Sequence, residues 1–183
     1  MHYSYRAVLI ATLLVALLMG TGCATLSEAE CHTANWYRLG QKDGNKGYER
    51  ARLYDHADAC APYGIRPDPN AYYAGRKLGL DHYCTPQGGY RAGLDGHPYR
   101  DVCPPTAEPA FLAEYRQGKA IHDAEKNIER AERNISSLER QLDKDDISSD
   151  TRSKLHRQLR SRLDDLRRYN HELIQLHRLH GRY

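Results

Sequence analysis

Hydrophobic positions fall into distinct patterns along the chain. Residues 7–19 read AVLIATLLVALLM, thirteen residues without a charge. That is shorter than the roughly 20 residues a membrane-spanning helix needs, and it fits the apolar segment of an export signal. No second run of this kind follows. Beyond Glu114, apolar residues recur at steps of three and four: Ile121, Ala124, Ile128, Ala131, Ile135, Leu138 and Leu142. This spacing predicts a helix with a coiled-coil seam. The polar stretch 143–150 interrupts it, and a second series then runs Leu155, Leu159, Leu163, Leu166, Asn170, Leu173 and Leu176. Two such helices joined by a polar turn predict an antiparallel hairpin, with Ser149 or Asp150 capping the second. In the intervening residues neither period persists, and most of the Gly and Pro is found there.

The end of the apolar run resembles a bacterial lipoprotein signal, in which small residues precede a cysteine that is acylated and becomes the mature N-terminus. Here Thr21 and Gly22 precede Cys23. The resemblance implies lipidation at Cys23, and Ala24 after it implies the periplasmic face of the outer membrane; two or three acyl chains suffice for a stable anchor. An ordinary signal peptide cut nearby is the plainer alternative. Four cysteines then remain, Cys31, Cys60, Cys84 and Cys103, without a CxxC pair. In an exported chain they predict two disulfides with three possible pairings, rather than a zinc or redox site. The expected organisation is a signal peptide at 1–22, a disulfide-linked head at 23–107 and the hairpin at 108–183. The fold class is mostly α: a small Tyr/Gly-rich head of short helices and loops, followed by the long hairpin.

Composition shapes the head. With one Phe and two Met against 14 Tyr, tyrosine must supply much of the core. A loose repeat places an aromatic residue shortly before Gly, at Trp36-Tyr37 to Gly40, Tyr73 to Gly75, Tyr90 to Gly93 and Tyr115 to Gly118. Gly75 and Gly79 would share one helix face and admit a close neighbour. The segments 67–69 and 85–89 read as turns. Trp36, Tyr73, Tyr90 and Tyr115 are also candidate interface residues, because a tyrosine ring with a polar tip suits a protein partner or a glycan as well as a core edge.

Charge adds a bias to the hairpin. Residues 108–147 carry ten acidic and seven basic residues, whereas 148–183 carry nine basic and four acidic. The two helices should attract side by side, each exposed pair adding about 0.3–0.5 kcal/mol. Arg133, Arg160, Arg167 and Arg168 are candidate interface residues for an envelope protein, with self-association open because a two-helix seam buries little area. The whole-chain charge of +3 is too weak to suggest nucleic acid. His32, Asp43, Asp55, His56, Asp81, His82 and Asp101 could supply an acid and a base on paper, but no spacing assembles them. There is no nucleotide loop and no nucleophile elbow. The reading is therefore a non-catalytic scaffold or accessory subunit without cofactor or metal. A peptidoglycan-binding lipoprotein is second, and a periplasmic enzyme third.

The order Cys23, Cys31, Trp36, Leu39-Gly40, Asp43-Gly44 and Gly47 resembles the start of DUF2799, a family of small Gram-negative lipoproteins of unknown function. His56, Cys60, Pro67-Asp68, Tyr72-Tyr73, Gly75, Gly79-Leu80, Tyr83-Cys84, Gly93, Gly96, Tyr99 and Val102-Cys103 extend the likeness over about residues 22–118. The resemblance implies an envelope lipoprotein and supplies no catalytic residue or cofactor.

Overall fold

A computed structural model describes residues 24–181 of the chain. The apolar run at 7–19 and the proposed lipidation site Cys23 lie outside the described residues. Within them the chain forms α-helices and a short 3-10 turn, with no strand. The helices are α1 (Glu28–His32), α2 (Trp36–Asn45), α3 (Arg52–Cys60), α4 (Pro69–Tyr83), α5 (Pro86–Leu94), α6 (Glu108–Leu142) and α7 (Ser149–His180).

The chain divides into two compact units, one ending at Gly79 and the other beginning at Leu80. The division falls earlier than residue 107, because the first turns of the long helix α6 build the second unit's disulfide-linked core together with α5. In the first unit Cys31 is bonded to Cys60, and in the second Cys84 is bonded to Cys103. The four cysteines of the described residues thus pair in order along the chain, first with second and third with fourth.

In the first unit α2 and α4 meet at glycines. A β-carbon on Gly40 would stand 2.0 Å from the Tyr72 carbonyl oxygen, and one on Gly75 would stand 1.9 Å from that of Tyr37. Gly79 makes the same approach to Gln41, at 2.3 Å. No side chain fits there, so the two backbones are in direct contact. A small core of Leu26, Cys31 and Cys60, with Trp36, Leu39, Ala59 and Ile65 against it, lies beside the crossing. Ser27 and Glu30 form a reciprocal cap on α1, and the Asn35 side chain caps α2.

The second unit repeats this device. A β-carbon on Gly93 would stand 2.3 Å from the Tyr115 carbonyl oxygen, and one on Gly118 would stand 2.2 Å from that of Tyr90. The core here is aromatic: Tyr83, Tyr99 and Tyr115 surround the fully buried Phe111, with ring centroids 4.9, 4.9 and 6.0 Å away. Residues 86–89 are not a turn but the first turn of α5. Pro86 takes a position where no amide is needed, and the Thr85 hydroxyl accepts from the Gly88 amide at 3.0 Å. Gly89 then faces the Phe111 backbone, an approach that the Gly-Gly sequence permits.

The two units share one sequence spacing. Gly40 lies nine residues after Cys31, as Gly93 lies nine after Cys84; Gly75 lies fifteen after Cys60, as Gly118 lies fifteen after Cys103. The aligned aromatics are Tyr37, Tyr72, Tyr90 and Tyr115, each three before its glycine, so Tyr72 rather than Tyr73 belongs to the repeat. Both are therefore copies of one helix-pair module closed by one disulfide. They differ in the span between cysteines, 29 residues in the first and 19 in the second. The longer span contains α3, which has no helical counterpart between Leu94 and Cys103.

Beyond Lys119, α6 pairs with α7 as the predicted hairpin. Ile121, Ala124, Ala131 and Ile135 of α6 are buried in the seam with Leu155 of α7. Small alanines allow close approach but bury little area, and Leu163, placed in the seam from its spacing, is 38% exposed. Ser148 caps α7 by accepting from the Thr151 amide, one residue ahead of the expected Ser149 or Asp150. The attraction expected between helices takes another form: the ion pairs on the hairpin, such as Lys126 with Glu129 and Arg162 with Asp165, run along a single helix. Residues three or four apart on one helix need only local side-chain ordering to meet.

Candidate functional site

The helix α3, specific to the first unit, brings His56 against the crossing of α2 and α4. His56 Nε2 is 2.8 Å from Asp43 Oδ2, which also accepts the Tyr72 hydroxyl at 2.7 Å. On the other side of the ring, His56 Nδ1 is 2.7 Å from Thr25 Oγ1. The Thr25 hydroxyl also lies within donating distance, 3.1 Å, of the Asp55 carbonyl oxygen. His56 and Asp43 are 2% and 5% exposed. Burial, then the hydrogen bond to Asp43, pushes the Tyr72 phenol well above its usual range.

Thr25, His56 and Asp43 stand in the order of hydroxyl, base and carboxylate found in nucleophilic catalysis. The imidazole and the carboxylate are nevertheless closed to solvent, and each ring nitrogen faces a protein group. What the arrangement does physically is tie four segments together: the stretch at Thr25, α2 through Asp43, α3 through His56 and α4 through Tyr72. Buried polar groups are tolerated because each has a partner.

Of the residues that could supply an acid and a base, Asp43 and His56 are the two brought together. Asp55 contributes its carbonyl to Thr25 and its carboxylate to Arg52 at 3.0 Å, and the His32 ring faces Tyr63. No sequence motif marks Thr25, whereas the spacing from Cys60 to Tyr72, twelve residues as from Cys103 to Tyr115, marks Tyr72 as a repeat position. Among the described residues, no group of three His, Cys, Asp or Glu could hold a metal ion.

The aromatic candidates serve largely as packing. Trp36 is half-buried against the Leu26, Cys31 and Cys60 core. The Tyr115 ring packs almost parallel to Phe111, and its hydroxyl donates to the His97 carbonyl at 2.9 Å. Tyr90 is half-buried, and burial raises its phenol. Tyr73 meets Tyr72 edge-on, with the Arg50 guanidinium 3.8 Å above its ring.

The arginine candidates are exposed on the hairpin. Arg133 pairs with Glu129 on α6, Arg167 pairs with Asp164, and Arg168 pairs with Asp165 and stands over Tyr169. Arg160 is exposed and forms no ion pair within the described residues. Ile174 and Leu179 add apolar surface to α7, at 50% and 60% exposure. No helix among the described residues is long and apolar enough to cross a membrane.

No curated protein and no solved structure matches the chain. Residues 35–120, from the cap of α2 to the end of the second glycine crossing, match the family described as protein of unknown function, DUF2799.

Proposed function

We propose that this protein is a non-catalytic envelope lipoprotein, anchored through acylated Cys23 to the periplasmic face of the outer membrane. The hairpin is the arm by which it serves as scaffold or accessory subunit of a larger assembly. The observation that carries this reading is the surface of α7, where Leu163, Ile174 and Leu179 are exposed beside Arg160, Arg167 and Arg168. Apolar side chains interspersed with guanidinium groups suit a protein interface, where arginine and apolar anchors are enriched. The sealed His56 and Asp43 fit a structural role better than catalysis, because a base acts only within reach of the proton it takes.

Two measurements test the reading. Cys23→Ser should release the chain from the outer-membrane fraction; retention there would reject the lipid anchor. A photoreactive residue at Arg133 or Arg160, at native expression in intact envelopes, should capture a discrete protein adduct. Absence of any adduct from the folded protein would reject the assembly role.

A further inference from the structure

The two flanks of the hairpin differ in chemistry. One is rich in side-chain amides and hydroxyls, with Asn134, Ser137 and Gln141 of α6 opposite Gln158 and Ser161 of α7, and its charges are of both signs, Arg130 on α6 and Arg162 and Asp165 on α7. The other is charged and divided by helix. On α6 it carries Glu125, Glu129, Glu132 and Glu139, at steps of three, four or seven residues, all exposed. On α7 the matching stripe is Arg160, Leu163, Arg167 and Ile174, also at steps of three, four or seven and exposed. Residues at such steps share one face of a helix. In coiled-coil terms these stripes flank the buried seam, where charge sets the choice and orientation of a partner.

The stripes are also level with one another. Ala131 and Asn134 line one groove with Arg162 and Asp165, so Glu132 stands at the height of Leu163. Glu132 and Arg160 form no ion pair within the described residues. Glu129 is paired with Lys126 and Arg133 on its own helix, beside Arg140, and Arg167 is paired with Asp164. The charges left for a partner are the carboxylates of Glu125, Glu132 and Glu139 on α6 and the guanidinium of Arg160 on α7, with Leu163 and Ile174 uncovered beside it.

We propose that this flank binds the same flank of a second copy, giving a four-helix arrangement in which α6 of each chain lies against α7 of its partner. Charge selects the symmetry. A two-fold axis parallel to the hairpin places the Glu stripe opposite the Arg stripe twice, whereas an axis across the hairpin places Glu on Glu and Arg on Arg. The parallel axis also points both interhelical turns, residues 143–148, in one direction. Leu163 and Ile174 are covered in the process. The proposal rests on the reading of the hairpin as an assembly arm and names its partner.

The test uses the full chain in intact envelopes, with Leu163 replaced by a photo-crosslinking amino acid. The expected product migrates at about twice the single-chain mass, with the crosslink joining residue 163 to the 125–139 segment of the other copy. Glu132→Arg or Arg160→Glu alone should lower its yield about fivefold, and the two together should restore it. Both positions are exposed, so helix content should be unchanged. A probe at Asn134, on the amide flank, should give no such product. Crosslinks solely to a different protein would overturn the second copy as partner while leaving the assembly role standing, and no adduct at all would overturn both. A dimer crosslinked α7 to α7, or one indifferent to charge reversal, would overturn the proposed symmetry.

Discussion

At the scale of residues, the first unit depends on hydrogen atoms at Gly40 and Gly75. Gly75→Ala would drive a β-carbon into the Tyr37 carbonyl, and since both atoms are held by helix backbone, α2 and α4 must separate. A loss of about 3 kcal/mol is expected, on the scale of severe overpacking. Gly64→Ala, in open space at φ +70°, should cost about 1 kcal/mol from its left-handed backbone alone. Chemical denaturation of both variants checks the contrast. The sequence showed that Gly75 and Gly79 share a helix face, but not what faces them, because the partner helix lies beyond α3 and its connections.

The phenols supply a prediction of pH dependence. Burial, then the hydrogen bond to Glu108, pushes Tyr99 up to about 12, while burial raises Tyr83 and, more strongly, Tyr72. An unfolded chain releases these protons near pH 10, so the folded state holds more of them above that pH. Stability from these groups is complete below about pH 10 and falls as pH rises toward and through the folded-state values. Tyrosinate absorbance should therefore rise in two stages, exposed tyrosines first and the buried group together with unfolding. A single stage centred near 10 would contradict their burial.

At the scale of elements, the long helices were legible because steps of three and four survive over many turns in α6 and α7. Their ends were less so. A serine cap works through a single side-chain oxygen, and Ser148, Ser149 and Asp150 all offer one; the extended backbone at Ser148 selects it. Ser148→Ala should cost about 1 kcal/mol, seen as a lower melting temperature, whereas Ser149→Ala should cost little. The helix α5 was obscured for a different reason. Pro86, Gly88 and Gly89 are turn formers in isolation, and only contact with Phe111 makes their small size an asset. The pairing of His56 with Asp43 was equally hidden, since they are brought together by helices and not by any short motif.

At the scale of the whole molecule, one module written twice accounts for residues 31–118. The repeated distances from each cysteine to its glycine carried the duplication, although an aromatic residue near Gly is too common to reveal it alone; the pairing was not carried, because a duplicated module fits Cys31 with Cys103 and Cys60 with Cys84 equally well. Each bridge closes a loop of known span, 29 and 19 residues apart in sequence. Reducing either should cost about 3–4 kcal/mol on the loop-entropy account. Guanidinium unfolding with and without reductant, using single-bridge serine variants, measures each contribution.

Pairing in order along the chain has a consequence for biogenesis. When a chain emerges N-terminus first from a ribosome or a translocation channel, with the Cys23 thiol taken up by the proposed acylation, Cys60 is the first available partner for Cys31, and that loop can close before Cys84 is exposed. Cys84 then meets Cys103 with the earlier thiols already consumed. Oxidation in simple order of appearance yields the native bonds, so a general thiol oxidase suffices and no disulfide has to be broken and remade by an isomerase.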